Sequence, residues 1–337
     1  MPSICDRLTV IITTSPAPSN PATDLISSVL ESFQQHCPGL IDARVIVVFD
    51  TFERITVQPR LKKGHASPEL AETYEQYKAN IKQLVLQAYP HEGDGVLTHS
   101  HAAAEFGFDG AVDLRIAHTP DDRVTFVEPA ARLGFGLAVR SALRLVDTPY
   151  VWVQQHDWAL VADIPLAPLL DIMSRSESDE VAPVKYISFP SVRMKHYAAS
   201  PHVLDHPALR DLTTSLKREF VAPSAGGETV SLTPLFFWFD KPHVASTAHY
   251  LARVFPTPLA MRRGEFIEDK IGQRARAQMK EGQWLKWATW LYYPEEGEVL
   301  CLRHLMGRTW RGFGGGINLK GGVVVEGEVA PVQHDSA

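Results

Sequence analysis

The stretch Arg132–Trp158, RLGFGLAVRSALRLVDTPYVWVQQHDW, decides how the chain is read. From Gly134 to about Val146 it reads as a helix. Tyr150–Gln154 then reads as an apolar strand that stops at His156-Asp157-Trp158. A strand without polar alternation is one covered on both faces, and helix followed by buried strand is the pattern of a largely parallel sheet. A carboxylate just past the carboxyl end of such a strand faces the crevice in which α/β proteins bind ligands.

The pattern repeats on the N-terminal side. Leu8–Ile12 (LTVII) and Val45–Phe49 (VIVVF, ending at Asp50) are further buried strands. Between them Leu25, Ile26, Val29, Leu30 and Phe33 mark a helix, with Asn20 as its expected cap and Pro21 in its first turn. Pro68–Ala88 predicts a longer helix and Val124–Val127 another strand. Residues 90–122, with His91, His99, His101 and His118 among Gly, Asp and Ala, read as loop with short helical pieces. They hold no Cys pair and no HExxH pattern, which argues against a zinc hydrolase.

Beyond residue 160 the texture changes. Tyr186–Phe189 and the aromatic run Leu235–Phe239 read as strands, Ser215–Glu228 as loop, Phe266–Lys280 as helix and Val299–Leu305 as strand. The glycine-rich stretch Gly314–Gly322 lies in a C-terminal tail. The expected architecture is α/β, one mostly parallel central sheet flanked by helices. A ligand-binding half (1–160) and a second half of the same domain (161–312) precede the tail (313–337).

The chain has 337 residues, 45% hydrophobic and 21% charged, which is ordinary globular usage. A formal net charge of −6 excludes strong whole-chain attraction to nucleic acid or anionic membrane. Three scattered cysteines, Cys5, Cys37 and Cys301, provide neither a disulfide framework nor a closed zinc site, and fit a reducing compartment. No apolar run reaches the ~18 residues of a membrane span. A cytoplasmic protein is expected.

Three places could carry chemistry. Asp157 after the central strand could hold a divalent cation, or simply cap the following turn. Glu268 and Asp269, in EFIEDK, could supply a general base, or favour the positive N-terminal end of a helix. His304 could be a metal ligand or a hydrogen-bonded surface residue. Arg308 and Arg311 beside it, among glycines, could cradle phosphate. Six tryptophans, Trp158, Trp238, Trp284, Trp287, Trp290 and Trp310, suit sugar faces as well as core packing. Trp158 adjoins Asp157 and is the best candidate for a sugar contact.

Taken in order, these pieces resemble a GT-A-fold nucleotide-sugar-dependent glycosyltransferase of the inverting, family-2-like kind. TVIITTSP resembles that superfamily's first strand and nucleotide loop, which brings Thr13 and Ser15 to the donor. VIVVFD resembles its second strand, with Asp50 at the position that contacts base or ribose. Arg140-Ser141 falls near the family's Arg-Asn pair, and Gln155-His156-Asp157 overlies its Asp-x-Asp metal motif. FIEDKIG resembles the acidic motif that supplies the base, Asp269 with Glu268 as second choice. LRHLMGR resembles the segment that adds a metal-binding His, here His304.

The resemblance implies a nucleoside-diphosphate sugar as donor, a divalent cation (Mn2+ or Mg2+) held by Asp157 and His304, and a glycan, glycoconjugate or small-molecule hydroxyl as acceptor. Gln155 departs from the pattern, standing where the first acid belongs. A metal-free enzyme that steadies its leaving group with Arg308 or Arg311 therefore stays open. A non-catalytic nucleotide- or carbohydrate-binding protein on the same fold is an alternative, as is a nucleotidyltransferase. The latter normally has a glycine-rich, basic loop after the first strand, whereas this chain has Thr13-Thr14-Ser15-Pro16-Ala17-Pro18. No GxGxxG follows Leu8–Ile12, so a plain dehydrogenase is excluded.

Overall fold

The computed structural model describes residues 3–93, 95–108, 110–222 and 226–311. The Gly314–Gly322 stretch and the tail 313–337 lie outside them. Eleven strands form one sheet: β1 (Leu8–Thr14), β2 (Arg44–Phe49), β3 (Thr98–Phe106), β4 (Gly110–His118), β5 (Val124–Pro129), β6 (Tyr150–Gln155), β7 (Tyr186–Ser188), β8 (Arg218–Ala222), β9 (Glu228–Pro234), β10 (His243–Ser246) and β11 (Thr289–Tyr292). Their spatial order is β8-β9-β11-β7-β10-β6-β1-β2-β5-β4-β3.

The centre of the sheet, β5-β2-β1-β6, is parallel throughout. All seven residues of β1 are buried, which is why LTVIITT needs no polar alternation. Helices Asp24–His36 and Phe135–Leu143 lie on the crossovers into β2 and β6, as parallel strands require. The flanks are mixed. β10 runs antiparallel to both β6 and β7, β7 is parallel to β11, and β3-β4 is an antiparallel hairpin attached to β5. One continuous sheet thus spans both halves of the chain. No helix among the described residues is long and apolar enough to cross a membrane.

The helix expected from Pro21 begins at Asp24, with Thr23 and not Asn20 before it. Pro21 and Ala22 are held in a preceding turn, the Ala22 amide donating to the Ser19 carbonyl at 2.9 Å. Residues 98–118, expected as loop, form the β3-β4 hairpin. β3 is an edge strand exposed at six of its nine positions, so its sequence, THSHAAAEF, carries no apolar alternation to announce it. His99 and His101 sit exposed on that strand.

Leu235–Phe239 is buried except for the partly covered Phe239, but it is not a strand. The ladder ends at Pro234, and tyrosine hydroxyls take over: Tyr197 Oη accepts from the Phe236 amide at 3.1 Å and Tyr186 Oη from the Phe239 amide at 3.2 Å. A continuous apolar run signals burial without specifying backbone form. Part of the expected loop Ser215–Glu228 is instead the β8-β9 hairpin, and the last strand shortens to Leu302–His304.

Gly134 carries the chain from β5 into the helix Phe135–Leu143 at φ +81°, and a Cβ there would lie 2.4 Å from the Gly264 Cα. Gly134→Ala combines a left-handed backbone with a backbone clash and should cost at least ~2 kcal/mol, measured by chemical denaturation. His243 is buried among Tyr186, Trp238 and Tyr250, and burial pushes its pKa down to about 4. The unfolded chain binds a proton there near pH 6.5 while the native one does not. Native stability therefore falls as pH drops from ~6.5 through about 4. His243→Asn should flatten that slope in denaturation curves taken across this window.

Candidate active site

The sheet order reverses at β1: the chain moves outward through β2 and β5, then returns to place β6 on the opposite side of β1. At such a reversal the connections leave in opposite directions and open a crevice at the carboxyl ends of the strands. Thr13, Ser15, Gln155, His156 and Asp157 all line that crevice. The His156 amide donates to the Thr13 carbonyl at 3.0 Å, extending the β1-β6 ladder to the first residue of the turn.

The His156 side chain is a buried strut. Its Nδ1 accepts from the Ser15 amide at 3.3 Å and from the Thr14 hydroxyl at 2.8 Å, and Tyr77 Oη lies 2.6 Å behind that hydroxyl. Two donors on Nδ1 leave the ring proton on Nε2. Burial lowers the ring's pKa, which keeps it neutral. Gln155 Nε2 donates to the Asp240 carbonyl at 2.8 Å. The residue at the position of the expected first acid thus ties β6 to the opposite wall.

Asp157 is 8% exposed. Its Oδ2 lies 3.3 Å from His304 Nε2, while Oδ1 is buried with no hydrogen-bond partner. Burial by itself would raise the carboxyl's pKa. The hydrogen bond from His304, with the field of Arg308, outweighs it and holds the group below the usual carboxylate range. His304 arrives on a two-stranded ribbon, Leu302–His304 antiparallel to Trp158–Leu160, which sets it opposite Trp158. The two rings meet edge to face at 4.8 Å.

An ionised carboxylate with one buried, unpartnered oxygen beside an imidazole is a donor set that a divalent cation fits. Carboxylate suits Mg2+ and Mn2+, and the added nitrogen favours a transition ion. Among the described residues there is no cluster of three or more His, Cys, Asp or Glu groups that could hold a metal. Two protein ligands leave the remaining positions to substrate oxygens. The Met306 amide donates to His304 Nδ1 at 3.0 Å, which leaves the ring proton on Nε2. Ligation at Nε2 would expel that proton and break the Met306 bond. Gly307 permits the close approach, since a Cβ there would sit 2.8 Å from Asp157 Cβ.

Two adjoining cavities meet at this point, with empty volumes of about 810 and 2090 Å3 that include the space at their mouths. Lys62, Gln155, Phe266 and Arg308 line both, so they form one cleft. Asp50 borders the first cavity, but its carboxylate is engaged by the amides of Leu133 (2.7 Å), Gly134 (2.9 Å) and Thr51 (3.0 Å). Its burial raises the pKa. Arg140 is not in the cleft. It lies inside the helix Phe135–Leu143 and donates to the Glu105 carbonyl at 2.6 Å, bracing that helix against β3.

The second cavity holds Glu268, Asp269 and His304. Glu268 and Asp269 lie in a π-helical turn, Glu268–Gly272, that opens the helix Gln273–Lys280. Asp240 caps this turn reciprocally. Its Oδ1 accepts from the Glu268 amide at 3.0 Å, and its own amide donates to Glu268 Oε2 at 3.3 Å. Burial, then the Glu268 charge, pushes the Asp240 carboxyl well above the ordinary range. Glu268 is committed to this cap, whereas Asp269 is exposed on the cavity wall.

The structure thus brings Asp157, His304, Glu268, Asp269, Arg308, Gln155, His156, Thr13, Ser15 and Asp50 to one cleft and leaves Arg140 outside. Trp158 borders the cleft, while Trp238, Trp284, Trp287 and Trp290 are core. Lys62, Asp240 and Lys241 line the cleft without having been singled out in the sequence. Asp240-Lys241, two charges closing the aromatic run Leu235–Phe239 ahead of Pro242, were the available signal.

No protein-family model matches the chain, and no curated protein does. Solved structures overlay on it at low identity. A mannosyltransferase from Pyrobaculum calidifontis, in complex with GDP-Man and Mn2+, is 14% identical with a TM-score of 0.38, over 86% of this chain and 58% of that one. S. aureus TarS is 10% identical with a TM-score of 0.41, over 88% of this chain and 36% of that one. Glucosyl-3-phosphoglycerate synthase from Mycobacterium tuberculosis is 14% identical with a TM-score of 0.34, over 85% of this chain and 68% of that one. The chain therefore spans little more than half of the first of these and about a third of the second.

Restoring an acid at position 155 should not improve the site. Gln155→Glu cannot donate to the Asp240 carbonyl and sets two oxygens against each other, so a loss of ~1–3 kcal/mol is expected in chemical denaturation.

Proposed function

We propose that the protein moves a sugar from a nucleoside-diphosphate sugar to an acceptor hydroxyl with inversion, aided by a divalent cation. The observation that carries this reading is the buried, unpartnered Asp157 oxygen beside His304, at the carboxyl ends of β1 and β6 and on the same cleft as Asp269. The smaller cavity would take the nucleotide, with Thr13 and Ser15 at its floor. Asp157 and His304 would hold the cation, which neutralises charge on the departing diphosphate. Lys62 and Arg308, common to both cavities, would steady the same oxygens.

Asp269 would act as base. The acceptor oxygen attacks the anomeric carbon and its proton passes to the Asp269 carboxylate. The bond from sugar to phosphate breaks, and its electron pair leaves on the phosphate oxygen. Asp240 positions this group by capping the turn that carries it. The three cysteines, scattered and free, support a place in the reducing cytoplasm.

Asp269→Asn should reduce transfer by ~10²–10⁴-fold, with UDP- or GDP-sugar affinity unchanged in calorimetry. Near-normal turnover would remove Asp269 from the role. Asp157→Ala should abolish the Mn2+-dependent part of the thermal shift produced by UDP or GDP, since only ligand bound to the native state raises the melting point.

A further inference from the structure

The larger cavity has a cationic wall that the proposed transfer does not use. Lys241 is half-buried, and partial burial depresses its ammonium pKa to about 8. Its Nζ donates to Ser191 Oγ at 2.9 Å and lies 4.7 Å from the centre of the Phe239 ring and 5.9 Å from that of Trp158. None of the ion pairs among the described residues includes Lys241, Arg193 or Arg303, although all three line this cavity. A buried ammonium is ordinarily paired with a carboxylate, because desolvation without a counter-charge is costly. The three acids of the cavity form no ion pair with it: Asp240 and Glu268 cap one another, Asp269 stands exposed, and Glu268 acts on the ammonium only through its field.

Resting on the glycosyl-transfer reading, we propose that the acceptor is a hydroxyl compound bearing an oxyanion, phosphate or carboxylate, and that Lys241, Ser191 and Arg193 bind that group. Lys241 follows Asp240 directly, so this anion site and the base-bearing turn are fixed to one another by the Asp240–Glu268 cap. An acceptor held by its anion presents its hydroxyl towards Asp269, and the anion supplies the direct ion pair that Lys241 does not make. Arg193, exposed on the short helix Val192–Met194, reaches the same group from the cavity mouth. The neutral faces of Phe239 and Trp158 cover part of the Lys241 ammonium, which strengthens its attraction for a bound anion.

The test is calorimetric titration of the full chain, with UDP and Mn2+ present and then with GDP and Mn2+, by glycerol 1-phosphate, glycerate and glycerol. Either or both of the two anions should bind at least tenfold more tightly than glycerol, and their ranking distinguishes phosphate from carboxylate. Lys241→Met should remove that preference, Arg193→Gln should weaken it, and Lys241→Arg should restore it in part. Lys195→Gln, which removes a surface charge paired with Glu298, should leave it intact. Equal binding of all three compounds, or anion binding by Lys241→Met at the wild-type level, overturns the proposal. Nucleotide titration of the wild type is read separately. Absence of UDP and GDP binding would count against the transferase reading, while Lys241-dependent anion preference would still identify the anion site.

Discussion

The hydrogen bond from the His156 amide to the Thr13 carbonyl joins the ends of two parallel strands, and the functional cleft depends on it. It carries the β1-β6 ladder into the turn that holds Asp157. The Thr14 hydroxyl and Ser15 amide then lock the His156 ring from the other strand. Because β1 is buried over its whole length and paired on both sides, it offers a rigid floor. A carboxylate mounted there can stay ionised and only partly satisfied. Loops alone would relax around such a group, whereas a strand end in a close-packed sheet cannot.

The second constraint is the ribbon that returns the C-terminal segment to the same place. Pairing of Leu302–His304 with Trp158–Leu160 closes a long span of chain and sets His304 against Asp157. Loop closure grows only slowly with length, so this long-range contact costs little more than a short one once the sheet is formed. Gly307 and the left-handed Met306 (φ +59°) turn the chain tightly beyond the ribbon, bringing Arg308 to the junction of the two cavities.

A third device divides the acids of the cleft into two capped ones and one exposed one. Asp240 and Glu268 spend their hydrogen bonds on one another's backbone, and the buried Asp240 carboxyl is held well above the ordinary range. Asp269 is thereby left on the cavity wall at the start of a helix, without being pulled into the cap. Gln155 reaches the Asp240 carbonyl from β6, so the wall carrying Asp157 and the wall carrying Asp269 are tied by a neutral amide. An acid at that position would forfeit the tie.

By itself the sequence determined the buried centre of the fold. LTVII, VIVVF and YVWVQ are apolar without alternation because both faces of those strands are covered, and that requirement is local enough to read. It also placed Asp157, Glu268, Asp269 and His304 where elements end or begin, which is where a cleft is lined. Only the tertiary structure decided the rest. The β3 edge strand takes its form from pairing with the neighbouring β4, and the buried, non-strand Leu235–Phe239 from the distant hydroxyls of Tyr186 and Tyr197. Arg140 looked available in one dimension, yet its helix turns it towards Glu105. Lys62 carries no local signal in the sequence, and folding sets both it and Lys241 on the cleft. Burial and counter-charge belong to three-dimensional neighbourhoods, and no reading along the chain supplies them.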